Sequence, residues 1–268
     1  MIAMPLPLKR LDFSFVPDAR WGDDSLQIGF ALRGALGLSL AKGCCFFNAR
    51  AVQCDGCAKR AHCHYGQSFK TAHNIQLSDD LKVGCMPHAW SLHIDRVGMA
   101  WCASLKLAGF EVAYLASWQS AIQSLPLDVS LQHVAWEKPS LERVWSSLTP
   151  VRLKYRGRTP ANADEAGMAL LTSIVSKSKM LAAIHGLSLP DTRLANPKII
   201  NASWHKGTRM HQQTKKEQSM SGWLLEIVWP EDTSEVWQMW LWLASRLGVG
   251  KQTSFGMGRF HTSLGHHS

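Results

Sequence analysis

Near one end of the chain, Gly248-Val249-Gly250-Lys251-Gln252-Thr253-Ser254-Phe255-Gly256-Met257-Gly258 places four glycines around a single lysine. Glycine lets a backbone turn tightly and approach a phosphate, with its N–H groups turned outward as donors. Gly250, Lys251, Gln252, Thr253 and Ser254 offer backbone, ammonium, amide and hydroxyl donors, and Phe255 offers a stacking face. The pattern is not the dinucleotide fingerprint, because Thr253 stands where G-x-G-x-x-G needs glycine. Nor is it a P-loop, because no G-K-[ST] closes it. The plain alternative is a glycine-rich turn that packs a terminal hairpin.

Two further stretches could grip an anion. Arg152-Leu153-Lys154-Tyr155-Arg156-Gly157-Arg158 alternates cations with other residues. On a strand, Arg152, Lys154, Arg156 and Arg158 would share one face, a stripe suited to a phosphate backbone or to a protected sheet edge. The segment from Ser203 to Lys216 then mixes Trp204, His205, Lys206, Arg209, His211, Lys215 and Lys216. Aromatic faces stack on unpaired bases while cations hold phosphates, as in single-stranded RNA recognition. A solvated surface loop has the same composition.

The charge is unevenly placed. The chain of 268 residues carries a formal net charge of +9. Residues 1–134 hold 12 Lys/Arg against 10 Asp/Glu, whereas residues 138–216 hold 14 against 4, including Lys177 and Lys179. A local positive field favours a polyanionic partner. No apolar run is expected to reach the ~18 residues of a membrane span, and no export signal opens the chain. A cytoplasmic protein with no membrane partner is the expectation.

Five of the seven cysteines lie in residues 44–63, unlike a disulfide framework. Cys54-x2-Cys57-x5-Cys63, with Cys45 or Cys44 as fourth ligand and His62 or His64 as substitutes, fits a structural zinc or a metal-free loop of reduced thiols. A catalytic zinc is unsupported, since no His-Glu-x-x-His or His-x-Glu partner exists. There is no paired-carboxylate or G-x-S-x-G signal either. The groups left for catalysis are Arg20, Arg33, His205, Arg209 and Arg246.

The elements that must position these groups follow from periodicity. Leu11, Phe13 and Phe15 alternate as in a strand. Asp23 or Asp24 caps a predicted helix over 25–42, with Leu26, Phe30, Leu36 and Leu40 as its stripe. Strands are expected over 89–94 and 99–107, a helix over 112–125 and a strand over 127–136. The second half is similar: a strand at 151–155, a helix over 163–184 with Asn162 and Glu165 as capping box, a β-rich run at 223–229, and a helix opened by Asp232 and Glu235 and stopped by Gly248. These give an α+β chain of two halves of about 130 residues, 1–136 and 137–268, each of β-α-β-β-α-β-like order.

The run from Leu247 through the glycines to Phe260 resembles the C-terminal loop of the RAMP superfamily. More narrowly, the chain resembles the CRISPR-associated endoribonucleases that process precursor crRNA, including divergent type IV members. Leu32-Arg-Gly-Ala-Leu-Gly37, Cys54-x2-Cys57-x5-Cys63-x-Tyr65, Leu148-Thr-Pro-Val-Arg-Leu153 and Trp204…Met220-Ser-Gly222 agree with it. The resemblance implies two tandem ferredoxin-like domains with a Cys-rich insertion at 44–65. It further implies CRISPR repeat RNA as substrate, partner subunits of an effector complex, and cleavage that needs no metal or other cofactor. In such cleavage a ribose 2′-OH attacks the adjacent phosphate, leaving a 2′,3′-cyclic phosphate and a 5′-OH. Residues 24–43 contain no histidine, and Arg33 takes the inviting place on the first helix. The expected site is therefore electrostatic: Arg20, Arg33 and Arg246 around the phosphate, with His205 as acid/base. The alternative is a non-catalytic RAMP subunit that holds crRNA.

Overall fold

The computed structural model describes residues 6–45, 54, 57–59, 62–69, 73–78, 81–85, 88–135, 142–189, 193–210, 217–250 and 257–263. It separates into two compact units. One is Pro5–Glu137 with Ala183–Leu187; the other is Met1–Met4, Lys138–Ala182 and Ser188–Ser268.

The first unit opens with β1 (Leu8–Phe15), which turns Leu11, Phe13 and Phe15 inward. Asp24 then starts α1 (Ser25–Cys44) by accepting from the Leu26 and Gln27 amides at 2.8 and 2.9 Å. The buried stripe of α1 is Ile28, Leu32, Leu36 and Leu40, not one led by Leu26 and Phe30, which stay partly exposed. A short α2 (His64–Ser68) and the hairpin of β2 (His73–Ser78) and β3 (Leu81–Cys85) follow. Next come β4 (Trp90–Val97), β5 (Ala100–Ala108), a 3-10 segment over Gly109–Tyr114, α3 (Leu115–Gln123) and β6 (Val129–Val134). The helix expected over 112–125 thus begins as a tighter 3-10 turn. The sheet order is β4-β5-β1-β6, antiparallel throughout. The apolar faces of α1 and α3 bury Trp90 and Trp118 together with Leu11, Phe13, Leu92 and Leu105.

The second unit contains β7 (Val144–Ser147), α4 (Ala163–Ile184), β8 (Lys198–His205), the hairpin of β9 (Thr208–Met210) and β10 (Glu217–Ser219), β11 (Gly222–Val228), α5 (Glu235–Leu247) and β12 (Phe260–Ser263). Its sheet order is β12-β7-β11-β8, again antiparallel. Setting aside α2 and the β2–β3 hairpin in the first unit and the β9–β10 hairpin in the second, both units follow β-α-β-β-α-β with the last strand beside the first. This is the ferredoxin-like order, so the chain is a tandem of ferredoxin-like folds.

Three expectations need correction here. The first strand of the second unit is β7, not 151–155: Val151 makes a single bridge to Trp223, and Tyr155 folds back onto Arg158. Ser234, not Asp232, caps α5 through the Trp237 amide. By length and composition α4 does reach a membrane-spanning stretch, but half of that stretch is buried inside the protein, as in the core helix of a soluble fold.

Candidate functional site

Three of the sequence motifs meet around the glycine-rich turn. The Gly258 amide donates to Pro150 O at 3.0 Å, the Val249 amide to Gly258 O at 3.0 Å, and the Arg259 amide to Thr149 Oγ1 at 3.0 Å. Val151 and Trp223, one residue beyond Gly222, exchange backbone bonds of 2.8 and 3.0 Å. Residues 148–153, the start of β11 and both ends of the turn are therefore one hydrogen-bonded assembly. Gly250 has φ 86°, and a Cβ there would lie 2.7 Å from Arg152 O, so only glycine fits. Its amide donates to Ser173 Oγ of α4 at 3.1 Å. Lys251, Gln252, Thr253, Ser254 and Phe255 lie outside the described residues.

The cationic stripe does not form as expected. Leu153 is buried and Lys154 exposed, so alternation holds for a few residues. Then Arg156 (φ 47°) and Gly157 (φ 84°) make a tight turn closed by the Tyr155–Arg158 backbone pair. Two positive φ values in succession suit a reversal, not a strand. Arg158 is directed at Glu165, which accepts its Nη1 at 2.8 Å. That pair raises Arg158 and lowers Glu165 from their ordinary pKa values, chiefly through the side-chain hydrogen bond. Lys154 and Arg156 remain exposed at the tip.

Lys177 is also not a surface contact. It is buried, and its Nζ donates to Gly248 O at 3.0 Å and Leu247 O at 3.3 Å, at the C-terminal end of α5. Its alternation with Lys179 on α4 decides this: Lys179 is exposed.

The aromatic-basic segment begins on β8, which stands at the edge of its sheet and pairs with β11 among the described residues. Trp204 stacks edge-on against Trp223 with ring centroids 5.6 Å apart, yet 41% of it is exposed. His205 and Lys206 beside it are exposed, as is Ile200. Arg209 belongs to β9. His211, Lys215 and Lys216 lie outside the described residues.

The four expected catalytic groups divide between the units. Arg20 is exposed on a 3-10 turn, with its Nε 2.9 Å from Asp18 Oδ1; the pair lowers Asp18 and raises Arg20. Arg33 is half-buried on α1, its guanidinium 5.0 Å from the Phe69 ring centre and 5.8 Å from that of Trp90. In the second unit, Arg246 on the last turn of α5 reaches Thr262 Oγ1 at 3.4 Å and Glu142 Oε2 at 3.7 Å. His205 ends β8.

Around the Cys-rich segment, Cys44, Cys45, Cys54, Cys57 and Cys63 are half-buried and form no disulfide among the described residues. Burial pushes the Cys44 thiol up to about 11, and Cys44 Sγ accepts the Tyr65 amide at 3.4 Å. Among the described residues no three His, Cys, Asp or Glu side chains are placed to hold a metal ion. His64 is directed elsewhere, with its Nε2 3.1 Å from Glu111 Oε2 and its ring stacked on Tyr114.

Sequence reasoning missed Ser173, Thr149 and Glu111. Each is a single polar residue whose partner lies far along the chain, and no local spacing announces it.

Comparison with known proteins agrees with this architecture. Residues 145–260 match the family model of the CRISPR-associated endoribonuclease Cas6, and residues 6–126 match a family model described as an N-terminal domain. No curated protein matches the sequence. Among solved structures, the chain is similar to a Cas6 product complex at TM-score 0.55 and 14% identity, covering 96% of this chain and 99% of that one. It is also similar to a RAMP protein binding different RNA substrates, at TM-score 0.50 and 10% identity, covering 95% and 99%. A Cas6-related protein from Pyrococcus furiosus gives 0.50 and 11%, covering 96% and 98%.

Proposed function

We propose that this chain, whose residues 145–260 match the Cas6 endoribonuclease model, is a CRISPR-associated, Cas6-like RAMP protein that binds the repeat of a precursor transcript and cuts it, keeping the mature crRNA for an effector complex. The observation that carries this reading is the match of the Cas6 endoribonuclease model over residues 145–260, which contain both the β8 edge and the glycine-rich turn. The exposed Trp204, flanked by His205 and Lys206, is a place for an unpaired base to stack and for a phosphate to pair.

The step is a transesterification. A ribose 2′-oxygen bonds to the adjacent phosphorus, the P–O5′ bond breaks, and the leaving oxygen takes up a proton. Negative charge builds on the phosphorane, so preorganised cations accelerate the step. Arginine stays protonated and cannot serve as the base, so Arg20 and Arg33 of the first unit and Arg246 of the second can each only hold charge, and His205 is the group able to move the proton. No metal takes part in this reading.

The test is incubation of the purified protein with end-labelled repeat RNA in EDTA. The expected result is a 5′ fragment ending in a 2′,3′-cyclic phosphate. Cleavage that requires added magnesium overturns the metal-independent step. Tight binding without cleavage in either buffer identifies a non-catalytic crRNA-holding subunit instead.

A further inference from the structure

The second sheet turns one face to α4 and the other away from it. Trp223, Leu225 and Ile227 of β11 are buried, and Ile199, paired with Ile227, closes on α4: a Cβ at Gly167 would lie 3.0 Å from Ile199 Cδ1. Side chains alternate along a strand, so Leu224, Glu226 and Val228 stand on the other face. There the register sets one residue of each strand in a single row. His261 of β12 is opposite Ser146 of β7, Ser146 is opposite Glu226 of β11, and Glu226 is opposite Asn201 of β8. Directly opposite side chains start about 5 Å apart. His261 and Asn201 are exposed and Ser146 and Glu226 half-buried, so the row is open to water.

Glu226 is the exception in its unit. Glu142, Glu165 and Glu231 are each held by an arginine, namely Arg246, Arg158 and Arg143. Glu226 stands in mid-strand, away from any helix end, and meets no cation and no hydrogen-bond donor among the described residues. A bare carboxylate repels a phosphate backbone unless it finds a donor, and the edge of an unpaired base supplies one. Guanine fits best, because its N1–H and N2–H point the same way and match both carboxylate oxygens, as an arginine fork does. Adenine and cytosine offer an amino group with no ring N–H beside it, and uracil flanks its N3–H with two carbonyls. Leu224 on one side of Glu226, and Val228 opposite Val144 on the other, leave apolar surface for the rings of the base. The aromatic rings of Trp145, Trp223 and Phe260 are buried on the α4 side, so this face suits hydrogen-bonded recognition more than stacking. A basic peptide would also satisfy a carboxylate, but 14 Lys/Arg against 4 Asp/Glu over residues 138–216 repel one and attract RNA.

We propose that Glu226, flanked in its row by Asn201 and Ser146, is a specificity-determining residue that reads an unpaired guanine of the bound RNA. The inference rests on the functional reading above and deepens it, by naming the base that the second unit selects.

The test compares the full-length parent with Glu226→Gln by fluorescence anisotropy, using a labelled oligouridine and the same oligomer carrying a single guanosine, inosine, adenosine or cytidine. Inosine keeps the N1–H and lacks the N2 amino group. The parent should prefer the guanosine oligomer over plain oligouridine by about tenfold, with inosine in between. Glutamine keeps the shape and replaces one acceptor by a donor. Glu226→Gln should therefore bind plain oligouridine at least as tightly as the parent and lose the guanosine preference. An equal guanosine preference in parent and variant, or none in the parent, overturns the inference and leaves RNA binding standing. A lysine-rich peptide that binds the parent and not Glu226→Gln also overturns it, assigning the carboxylate to a protein partner. A parent that binds none of the oligomers overturns the functional reading, and the inference with it.

Discussion

Ser68 donates its hydroxyl to Glu111 Oε1 at 2.6 Å, and neither residue is exposed to solvent. The other carboxyl oxygen of Glu111 accepts Trp118 Nε1 at 2.9 Å and meets His64 Nε2 at 3.1 Å. Ser68 and His64 belong to α2, Glu111 to the 3-10 segment after β5, and Trp118 to α3. One carboxyl group therefore ties the end of the Cys-rich segment to the core of the first unit.

Replacing Glu111 by alanine leaves three buried polar groups without this partner and should cost about 3 kcal/mol or more. Urea denaturation of the full chain, followed by tryptophan fluorescence, measures it. An unchanged midpoint would show that the network carries no stability.

For Arg33, two effects should separate. Arg33→Ala removes the proposed charge and should lower the cleavage rate by about a hundredfold or more, with RNA affinity close to that of the parent. Losing the stack on Phe69 and Trp90 should cost only about 1 kcal/mol of stability. Single-turnover cleavage beside a filter-binding assay reads both, and undiminished cleavage would remove Arg33 from the proposed machinery.

At the Arg156 turn, Lys154→Gln combined with Arg156→Asn takes away two exposed cations while asparagine tolerates the positive φ of 47°. If both contact phosphates, the slope of log affinity against log salt should flatten by about two, with little change in folding stability. An unaltered slope would place the RNA elsewhere.

How much of this was legible beforehand divides by the kind of signal. The first unit announced itself, because Leu11, Phe13 and Phe15 alternate and Asp24 caps α1 as its side chain allows. The second unit was read less well, and the reason lies in β7 and β8. Val144–Ser147 is only four residues long, and β8 exposes most of its residues, so neither shows the alternation that marks a half-buried strand. The Arg152–Arg158 run showed the opposite failure: a clean alternation that a left-handed Arg156-Gly157 pair overrides. Of the site, spacing revealed which residues are cationic, and the fold decided which of them face water. Lys177 and Lys179 stand two apart in sequence and are opposite in fate.

Gly109 has φ 58°, and a Cβ there would fall 2.1 Å from His185 Nε2, so the imidazole occupies the space a side chain would need. His185 lies just past α4, within a short stretch that belongs to the first unit. During synthesis the first sheet is complete once Val134 has emerged, but the ring that covers Gly109 arrives only after α4 has been made. The N-terminal unit therefore reaches its final packing late in translation, with part of the second unit already outside the ribosome.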